Sequence, residues 1–280
     1  MNKAQLDFFN TEGYLVLPQA IPAALLLKMR LLFDELTHES NDTERAVNIN
    51  NGQSYVTNLE KLCCKGNLSC LELLGTPFIL ETAQSICGPD FFLIQEFAVI
   101  KMLGDNLPVL WHQDMLHKRT GQCFTMGIYL DDADADDGAL RIVPKSHISG
   151  KAICESKNDP SIEAPMKAGD ILIHDMMLAH SSGLMKHNPI RRVLYFEFLS
   201  VNHVRNESIY SEELLMNRMQ LLQIAIDFYR DQHPAEEHFN WINPLEVSRM
   251  AGKTIKEELL EIYKNEVHAK PSTYCFEGLH

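Results

Sequence analysis

The chain has 280 residues and a mass of 31.9 kDa, enough for one large domain or two modest ones around a buried core. Hydrophobic residues make up 45% and charged residues 22%, which is the composition of an ordinary globular protein and excludes disordered, collagenous and membrane-embedded classes. The formal net charge of −13 opposes contact with phosphate backbones and anionic bilayers, so we expect neither nucleic acid nor a membrane as a partner.

The N-terminus and the cysteines both indicate a cytoplasmic protein. Asp7 and Glu12 interrupt the apolar stretch that a signal peptide requires. The longest apolar run, at 20–27, is far shorter than the ~20 residues of a spanning helix. The seven cysteines are odd in number and show neither a C-x-x-C pair nor zinc-finger spacing. We therefore expect reduced, mostly structural thiols.

The first ninety residues are predicted to be mainly helical. A short helix precedes Gly13, which is followed by an apolar strand at 14–17. A second helix is predicted at 22–39 and a third at 69–86. The apolar positions of the second helix lie at helical spacing: Leu25, Met29, Leu32, Phe33 and Leu36.

The pattern changes at Phe91 to short runs that are rich in β-branched and aromatic residues. Clusters of Gly, Asp, Asn and Pro separate these runs, which predicts antiparallel strands over 91–204. The runs include FFLIQEFAVIKML, FTMGIYL, DILIHD and RRVLYFEFLSV. An acidic stretch at 131–137 lacks the glycine and terminal glutamate of a calcium loop, and we interpret it as a solvated hairpin turn.

Helix-forming residues return after the β region. The spacing predicts a long amphipathic helix before Pro234 and another at about 246–265. No internal repeat is visible. We therefore predict a single domain over 1–280, mainly β with flanking helices, and a helical C-terminal appendage at 206–280 that is a lid, a homodimer face or simple packing.

The segment LPVLWHQDMLHK contains the most informative motif. His112 and Asp114 are separated by one residue, so on an extended strand their side chains project to the same face. Alone this signal is weak, because about 0.7 chance occurrences of H-x-D are expected in such a chain. His180 follows another predicted strand, and Arg191 begins the next one.

Two imidazoles and one carboxylate on one face of a metal leave adjacent positions open, as non-haem Fe(II) oxygen chemistry requires. A buried arginine can anchor a dicarboxylate through paired hydrogen bonds. The neighbouring residue Arg192 faces the opposite way on a strand, and His174 and His187 flank His180. Spacing favours Arg191, and we interpret His174 as a packed or solvated histidine.

Several motifs in a fixed order resemble the phytanoyl-CoA dioxygenase family of Fe(II)/2-oxoglutarate oxygenases. They are H-Q-D, D-G-A-L-R-I-V-P-K-S-H at 137–147, G-D-I-L-I-H at 169–174 and H-S-S-G followed by Arg191. The opening F-F-N-T-E-G-Y-L-V-L-P is also similar. The resemblance covers about residues 6–200 and implies a double-stranded β-helix, or jelly roll.

The resemblance also implies roles for individual residues. His112, Asp114 and His180 would be the catalytic metal ligands, and Arg191 with Ser182 would bind the distal carboxylate of 2-oxoglutarate. The implied cofactors are Fe(II), 2-oxoglutarate as cosubstrate and O2. A lysine often precedes the H-x-D motif in relatives, and Lys101 corresponds to it, with an ordinary solvated lysine as the alternative.

Two positions depart from the family pattern. Gly127 stands where relatives often have tryptophan, which predicts more open packing around the cosubstrate or substrate. Phe97 stands where a methionine often lines the cosubstrate pocket. The carboxylate that halogenating members lack is present here as Asp114, which disfavours a halogenase.

The predicted function is a dioxygenase that oxidises a small or medium organic metabolite and releases succinate and CO2, with hydroxylation as the default outcome. Desaturation, ring closure or rearrangement stay open, because the fate of the substrate depends on its positioning. Two alternatives are a cupin-like metalloenzyme that does not use 2-oxoglutarate and a non-catalytic metal- or ligand-binding protein. A homodimer through the C-terminal helices is possible under this interpretation.

Overall fold

A computed structural model describes residues 1–38, 44–115, 121–264 and 273–276. Within them the helices are α1 (Lys3–Glu12), α2 (Ala23–His38), α3 (Ser69–Leu74), α4 (Pro77–Cys87), α5 (Ile153–Ser156), α6 (Val201–Glu207), α7 (Glu212–Gln232) and α8 (Ile255–Ile262). The strands are β1 (Tyr14–Leu17), β2 (Arg45–Asn50), β3 (Gln53–Glu60), β4 (Phe91–Met102), β5 (Val109–Gln113), β6 (Cys123–Tyr129), β7 (Leu140–Ile142), β8 (Ile162–Ala164), β9 (Ile171–Asp175), β10 (His180–Ser182), β11 (Ile190–Ser200) and β12 (Thr273–Tyr274).

The strands form two antiparallel sheets, as a jelly roll requires. The larger sheet has the order β1-β9-β6-β11-β4-β3-β2, and the smaller one has the order β12-β5-β10-β7-β8. From β4 to β11 consecutive strands alternate between the two sheets, except that β7 and β8 both belong to the smaller sheet. The predicted fold class, mainly β with flanking helices, is confirmed.

The β structure extends beyond the predicted range of 91–204. Strand β1 pairs with β9, strands β2 and β3 extend the larger sheet beside β4, and β12 pairs with β5. The strand predicted at 14–17 is confirmed as β1, whereas β2, β3 and β12 were not predicted. Strands β2 and β3 form a local hairpin, but β3 and β12 join the sheets by pairing with strands far away in the sequence, which local periodicity does not reveal.

The N-terminal elements follow the sequence pattern closely. Asn2 and Gln5 form a reciprocal capping box at the start of α1, and Gly13 ends the helix with a left-handed φ of 83°. All five apolar positions predicted for the second helix are buried in α2. These helices cover the outer face of the larger sheet and build its hydrophobic core.

The helix predicted at 69–86 is two helices. The helix is interrupted at Gly75, where an added Cβ would lie 2.2 Å from the carbonyl oxygen of Ala225 in α7. Only glycine permits this close backbone approach, and Pro77 then begins α4. The tight contact with α7 explains why one predicted helix becomes two.

The C-terminal helices pack onto the same core. The long helix α7 buries Leu221, Leu222 and Ile224 in it, whereas α8 is much shorter than the predicted stretch at 246–265. The predicted alternatives for the appendage are a lid, a homodimer face and simple packing, and its described part packs against the core. The possible homodimer stays a prediction.

A buried polar cluster connects these helices to the larger sheet. Glu96 on β4 accepts a hydrogen bond from the Tyr263 hydroxyl, and Arg218 on α7 donates to its other oxygen at 3.3 Å. Burial raises the pKa of the Glu96 carboxyl, while Arg218 and Tyr263 oppose that effect. The pairing compensates two charged groups inside the core.

Replacing Glu96 with alanine is expected to lower the free energy of unfolding by about 3–5 kcal/mol, because Arg218 would stay buried without its counter-charge. Urea unfolding followed by circular dichroism measures the change. Glu212→Ala is the control, since it removes an exposed pair with Arg205 and should cost at most about 1 kcal/mol. Equal losses in the two variants would contradict the prediction.

Two of the seven cysteines are not reduced. Cys154 and Cys275 form a disulfide across a sequence separation of 121 residues, which corrects the expectation of seven free thiols. The other five are not part of a disulfide, and Cys64 is the least buried of them. Because β12 folds back beside β5, the two Cα atoms come within 5.0 Å, a proximity that sequence spacing does not reveal.

Among the described helices, none combines the length and apolar character needed to cross a bilayer.

Candidate active site

The His-x-Asp motif and the distant histidine meet on the smaller sheet. His112 lies on β5 and His180 on β10, and the two residues are direct partners in the register of these neighbouring strands. Asp114 follows the end of β5. One potential ligand atom from each of the three side chains lies within 4.8 Å of the other two, a spacing that allows a single metal ion to be bound.

Backbone hydrogen bonds orient both imidazoles. The Nδ1–H of His112 donates to the carbonyl of Leu110 at 2.8 Å, and that of His180 donates to the carbonyl of Leu178 at 2.9 Å. Each ring therefore presents its Nε2 to the centre, 3.4 Å and 3.5 Å from the Oδ1 atom of Asp114. A neutral imidazole with its other nitrogen hydrogen-bonded is the form that ligates a metal.

The electrostatics of the cluster favour an ionised carboxylate. Burial alone would raise the pKa of Asp114, but His180, His112 and His174 hold it well below its usual range. Burial and the neighbouring His112 lower the pKa of His180 to about 3. Burial also acts to lower the pKa of His112, but the hydrogen bond and charge of Asp114 outweigh it and raise that pKa.

Two residues that the sequence reasoning missed hold the carboxylate in place. The Oδ2 atom of Asp114 accepts hydrogen bonds from the Thr125 hydroxyl at 3.1 Å and from His174 Nε2 at 3.0 Å. Thr125 and His174 are neighbours across β6 and β9. His174 is packed, as one of the two predicted alternatives had it, and is not solvated; its hydrogen bond to the candidate ligand Asp114 was not predicted.

An inner cavity of about 60 Å³ lies between the cluster and Arg191. Arg191 is buried, and its Nη1 donates to the carbonyl of Gly138 at 2.6 Å. Its Nε and the hydroxyl of Ser182 have no hydrogen-bond partner among the described residues. Buried polar atoms of this kind are costly unless a ligand satisfies them, and a carboxylate accepts from both donor types.

Arg192 occupies the opposite face of β11. Its guanidinium binds Asp131 at 2.8 and 2.9 Å and Asp34 at 2.5 Å. These ion pairs link the sheet to α2 and explain why only one arginine of the pair reaches the cavity. The predicted alternation of the two side chains is confirmed.

The acidic stretch is only partly a solvated turn. Asp131 forms the ion pair with Arg192, and Asp137 is buried and accepts hydrogen bonds from the backbone N–H groups of 186–188. Asp136 is exposed, as predicted. Asp137 directly precedes Gly138, so this loop fixes the carbonyl that holds Arg191.

Two further polar residues lie close to Arg191. Lys101 is its cross-strand partner on β4, is buried, and donates from Nζ to the carbonyl of Leu107 at 2.9 Å. Burial, together with Arg191, lowers the pKa of Lys101 to about 8, so a solvated lysine is excluded. The buried hydroxyl of Tyr129, a position that no motif indicated, has no partner in the described chain.

The space around Gly127 is filled rather than open. An added Cβ at Gly127 would lie 2.9 Å from the ring of Tyr195, which stacks on Phe97 with ring centroids 5.1 Å apart. The prediction of more open packing is wrong, because a tyrosine from the neighbouring strand β11 occupies the volume. Phe97 lines the inner cavity, as the motif comparison predicted.

A larger cavity of about 420 Å³ lies on the outer side of the cluster. It shares His112 and Asp114 with the inner cavity and reaches β3 at Thr57 and the chain after α6 at Tyr210. A cavity of this size accommodates a small or medium organic molecule. The C-terminal strand contributes Tyr274, whose ring stacks on His112 with centroids 4.8 Å apart.

A sequence-family model described as phytanoyl-CoA dioxygenase matches residues 9–193. The chain belongs to the phytanoyl-CoA dioxygenase family. This family comprises Fe(II)/2-oxoglutarate-dependent oxygenases, and the residues that the sequence comparison selected for the metal and the cosubstrate are the ones that surround the two cavities.

Three relatives illustrate the similarity. L-proline trans-4-hydroxylase of Streptomyces griseoviridis is 24% identical over 148 residues, which are 51% of this chain and 54% of the hydroxylase. The solved structure of EvdMO1 superposes with a TM-score of 0.64 at 23% identity, covering 71% of this chain and 50% of that one. HygX of Streptomyces hygroscopicus, solved with nickel and 2-oxoglutarate, superposes with a TM-score of 0.58 at 14% identity over 72% of this chain and 88% of its own.

The chain thus spans about half the length of the first two relatives, and the structural similarities demonstrate a shared fold. HygX carries its metal and 2-oxoglutarate on this fold.

Removing the disulfide, by Cys154→Ser with Cys275→Ser, is expected to lower the free energy of unfolding by about 2–4 kcal/mol, because it closes a long loop. It should also loosen the strand that carries Tyr274 and speed proteolysis at the C-terminus. Thermal unfolding and limited proteolysis measure the two effects. Cys64→Ser, which removes a free thiol, is the control. Seven titratable thiols in the denatured wild-type protein, rather than five, would contradict the prediction.

Proposed function

We propose that the protein is an Fe(II)/2-oxoglutarate-dependent oxygenase that hydroxylates a small or medium organic metabolite. The observation that supports this most strongly is the cluster of His112, Asp114 and His180, with ligand atoms within 4.8 Å of one another. Beside it lies the buried Arg191, whose Nε has no partner in the part of the chain that the structure describes. The donor set of two nitrogens and one oxygen suits Fe(II) and leaves coordination positions for cosubstrate and O2.

Each residue has a defined task under this proposal. His112, Asp114 and His180 hold the metal, while Thr125 and His174 fix the carboxylate that binds it. Bound iron supplies the oxidising chemistry, in which 2-oxoglutarate is decarboxylated to succinate and CO2 with O2 as the oxidant. Without such outer hydrogen bonds a ligating carboxylate would rotate among several geometries.

The cosubstrate end of the site is formed by the chain itself. Arg191 and Ser182 donate to the distal carboxylate of 2-oxoglutarate, and the Gly138 carbonyl keeps the guanidinium in position. The rings of Phe97 and Tyr195 enclose this region and exclude water. Exclusion of water strengthens the ionic contacts and prevents loss of oxidising equivalents to solvent.

The outer cavity receives the primary substrate. It borders His112 and Asp114 directly, so a molecule bound there lies next to the metal position. Its volume of about 420 Å³ limits the substrate to a compact molecule, or to one part of a longer molecule. Proximity and orientation then decide which carbon is oxidised.

Anaerobic titration of the protein with Fe(II) and 2-oxoglutarate tests the proposal. We expect a weak visible charge-transfer band and, after admission of air, release of succinate that a metabolite library stimulates. A protein that gives neither the band nor succinate is not a 2-oxoglutarate oxygenase. Succinate without stimulation by any library member identifies uncoupled turnover and keeps the assignment of the cosubstrate.

A further inference from the structure

A second carboxylate lies in the outer cavity and has no role in the chemistry described so far. Glu197 is on β11, on the same face as Arg191, and lines the cavity together with Asp114. Its cross-strand neighbours are Gln95 on β4 and Thr125 on β6. Gln95 also lines the cavity. The two side chains form a polar patch, the Glu197–Gln95 patch, on the wall of the cavity that strands β4 and β11 form.

The patch has unused hydrogen-bonding capacity. Glu197 is 8% exposed, and neither it nor Gln95 forms a hydrogen bond or ion pair with any residue that the structure describes. Most buried carboxylates in proteins are paired, because an unpaired one loses its hydration without compensation. Burial and the nearby charge of Asp114 raise the pKa of Glu197 well above its usual range, and an adjacent cation would offset both effects.

Among the residues that the structure describes, no positively charged side chain pairs with the Glu197 carboxylate. Arg191 and Lys101 face each other six residues away along the strands, about 20 Å at the usual rise per residue. Arg218 lies on the other face of the sheet, where it binds Glu96. The neighbouring helix α6 has its own exposed pair, Arg205 with Glu212.

The formal charges of the site with Fe(II) and 2-oxoglutarate bound also favour a positively charged substrate. Fe(II), Asp114, Arg191 and the 2-oxoglutarate dianion sum to zero, and Lys101 is balanced by the buried Asp105 beside it. Among the described residues of the cavity, Glu197 is left without a counter-charge in this sum when it is ionised, and an adjacent cation favours that ionised form. A substrate with one positive charge would neutralise it, whereas an anionic substrate would be repelled.

We propose that Glu197 is the specificity-determining residue for the primary substrate, and that this substrate carries an ammonium group that the Glu197 carboxylate binds. Gln95 accepts a further N–H of the same group through its amide oxygen. The inference rests on the proposed function, since it assigns a substrate class to that site. Because the cavity is compact, a substrate whose ammonium group binds Glu197 has its oxidised carbon close to that amine.

A matched pair of probes tests the assignment without turnover. Protein loaded with Zn(II) and 2-oxoglutarate is titrated with piperidinium and with its neutral isostere tetrahydropyran, and binding is followed by ligand-observed NMR. We expect piperidinium to bind about tenfold more tightly or better, as a charge-assisted hydrogen bond provides. Glu197→Gln should remove this preference and leave the binding of tetrahydropyran unchanged.

Glu60→Gln is the matched control, because it makes the same chemical change at an exposed position on β3. Wild-type protein that binds the two probes equally, or binds neither, overturns the ammonium assignment, as does a preference that survives Glu197→Gln. The proposed function fails separately, if Fe(II) and 2-oxoglutarate give no charge-transfer band. A normal band together with equal probe binding would therefore reject only the inference about Glu197.

Discussion

Replacing Asp114 with alanine is expected to reduce succinate formation by more than the ~10–100-fold that loss of a residue hydrogen-bonded to a ligand typically costs. The variant should also lose the charge-transfer band with Fe(II) and 2-oxoglutarate. The reason is that the carboxylate supplies the single anionic donor of the cluster and accepts hydrogen bonds from Thr125 and His174. Stopped aerobic assays of succinate and anaerobic absorbance spectra measure the two effects.

A graded series makes this prediction sharper. Thr125→Val keeps the side-chain shape but removes one hydrogen bond to Asp114, so its loss of activity should fall within the ~10–100-fold range. Asp136→Asn is the control, because its carboxylate is exposed in the surface turn and pairs with Lys186. An Asp114→Ala protein that keeps the band, or that is no worse than Thr125→Val, would contradict the assignment of Asp114 as a ligand.

The residues of the candidate site could be selected from the sequence because each lies in a local motif that resembles the pattern of the family. His112 and Asp114 are two residues apart on one strand, and His180, Ser182 and Arg191 follow in a fixed order. The structure brings all five to the two joined cavities. Spacing favours Arg191 over Arg192, and the structure places only Arg191 at the inner cavity while Arg192 pairs with Asp131 on the opposite face of the strand.

The residues that support the site could not be found in this way. Thr125 and His174 become neighbours only through the register of β6 with β9, and Glu197 meets Gln95 only through that of β11 with β4. A register is specified by the packing of the whole sheet rather than by any short segment. The sequence therefore predicts a packed or solvated histidine at position 174 but not its hydrogen bond to Asp114.

Long-range packing also accounts for the errors in the fold. The break at Gly75 is imposed by the backbone of α7, and the Cys154–Cys275 pair forms only after β12 returns to β5. At Gly127 the missing side-chain volume is supplied by Tyr195 from the next strand. In each case the deciding neighbour is more than 65 residues away in the sequence.

Replacing Arg191 with glutamine is expected to raise the KM for 2-oxoglutarate by about 10–100-fold. The reason is that the variant loses a hydrogen-bonded ion pair with the carboxylate of the cosubstrate, and such a loss typically has an effect of this size. The kcat at saturating 2-oxoglutarate should change much less, because under the proposed function Arg191 binds the distal end of the cosubstrate and not the metal. Ser182→Ala should raise the same KM by a smaller factor, since it removes a neutral donor. Initial rates of succinate release over a range of 2-oxoglutarate concentrations separate KM from kcat.

Arg192→Lys is the matched control for Arg191→Gln. Arg192 lies next to Arg191 in the chain but binds Asp131 and Asp34 on the opposite face, so its replacement should lower the thermal unfolding midpoint and leave the KM for 2-oxoglutarate unchanged. Recovery of Arg191→Gln at high 2-oxoglutarate would separate a binding defect from misfolding. Full activity of Arg191→Gln at every 2-oxoglutarate concentration would instead favour the cupin-like alternative, in which the metal cluster works without this cosubstrate.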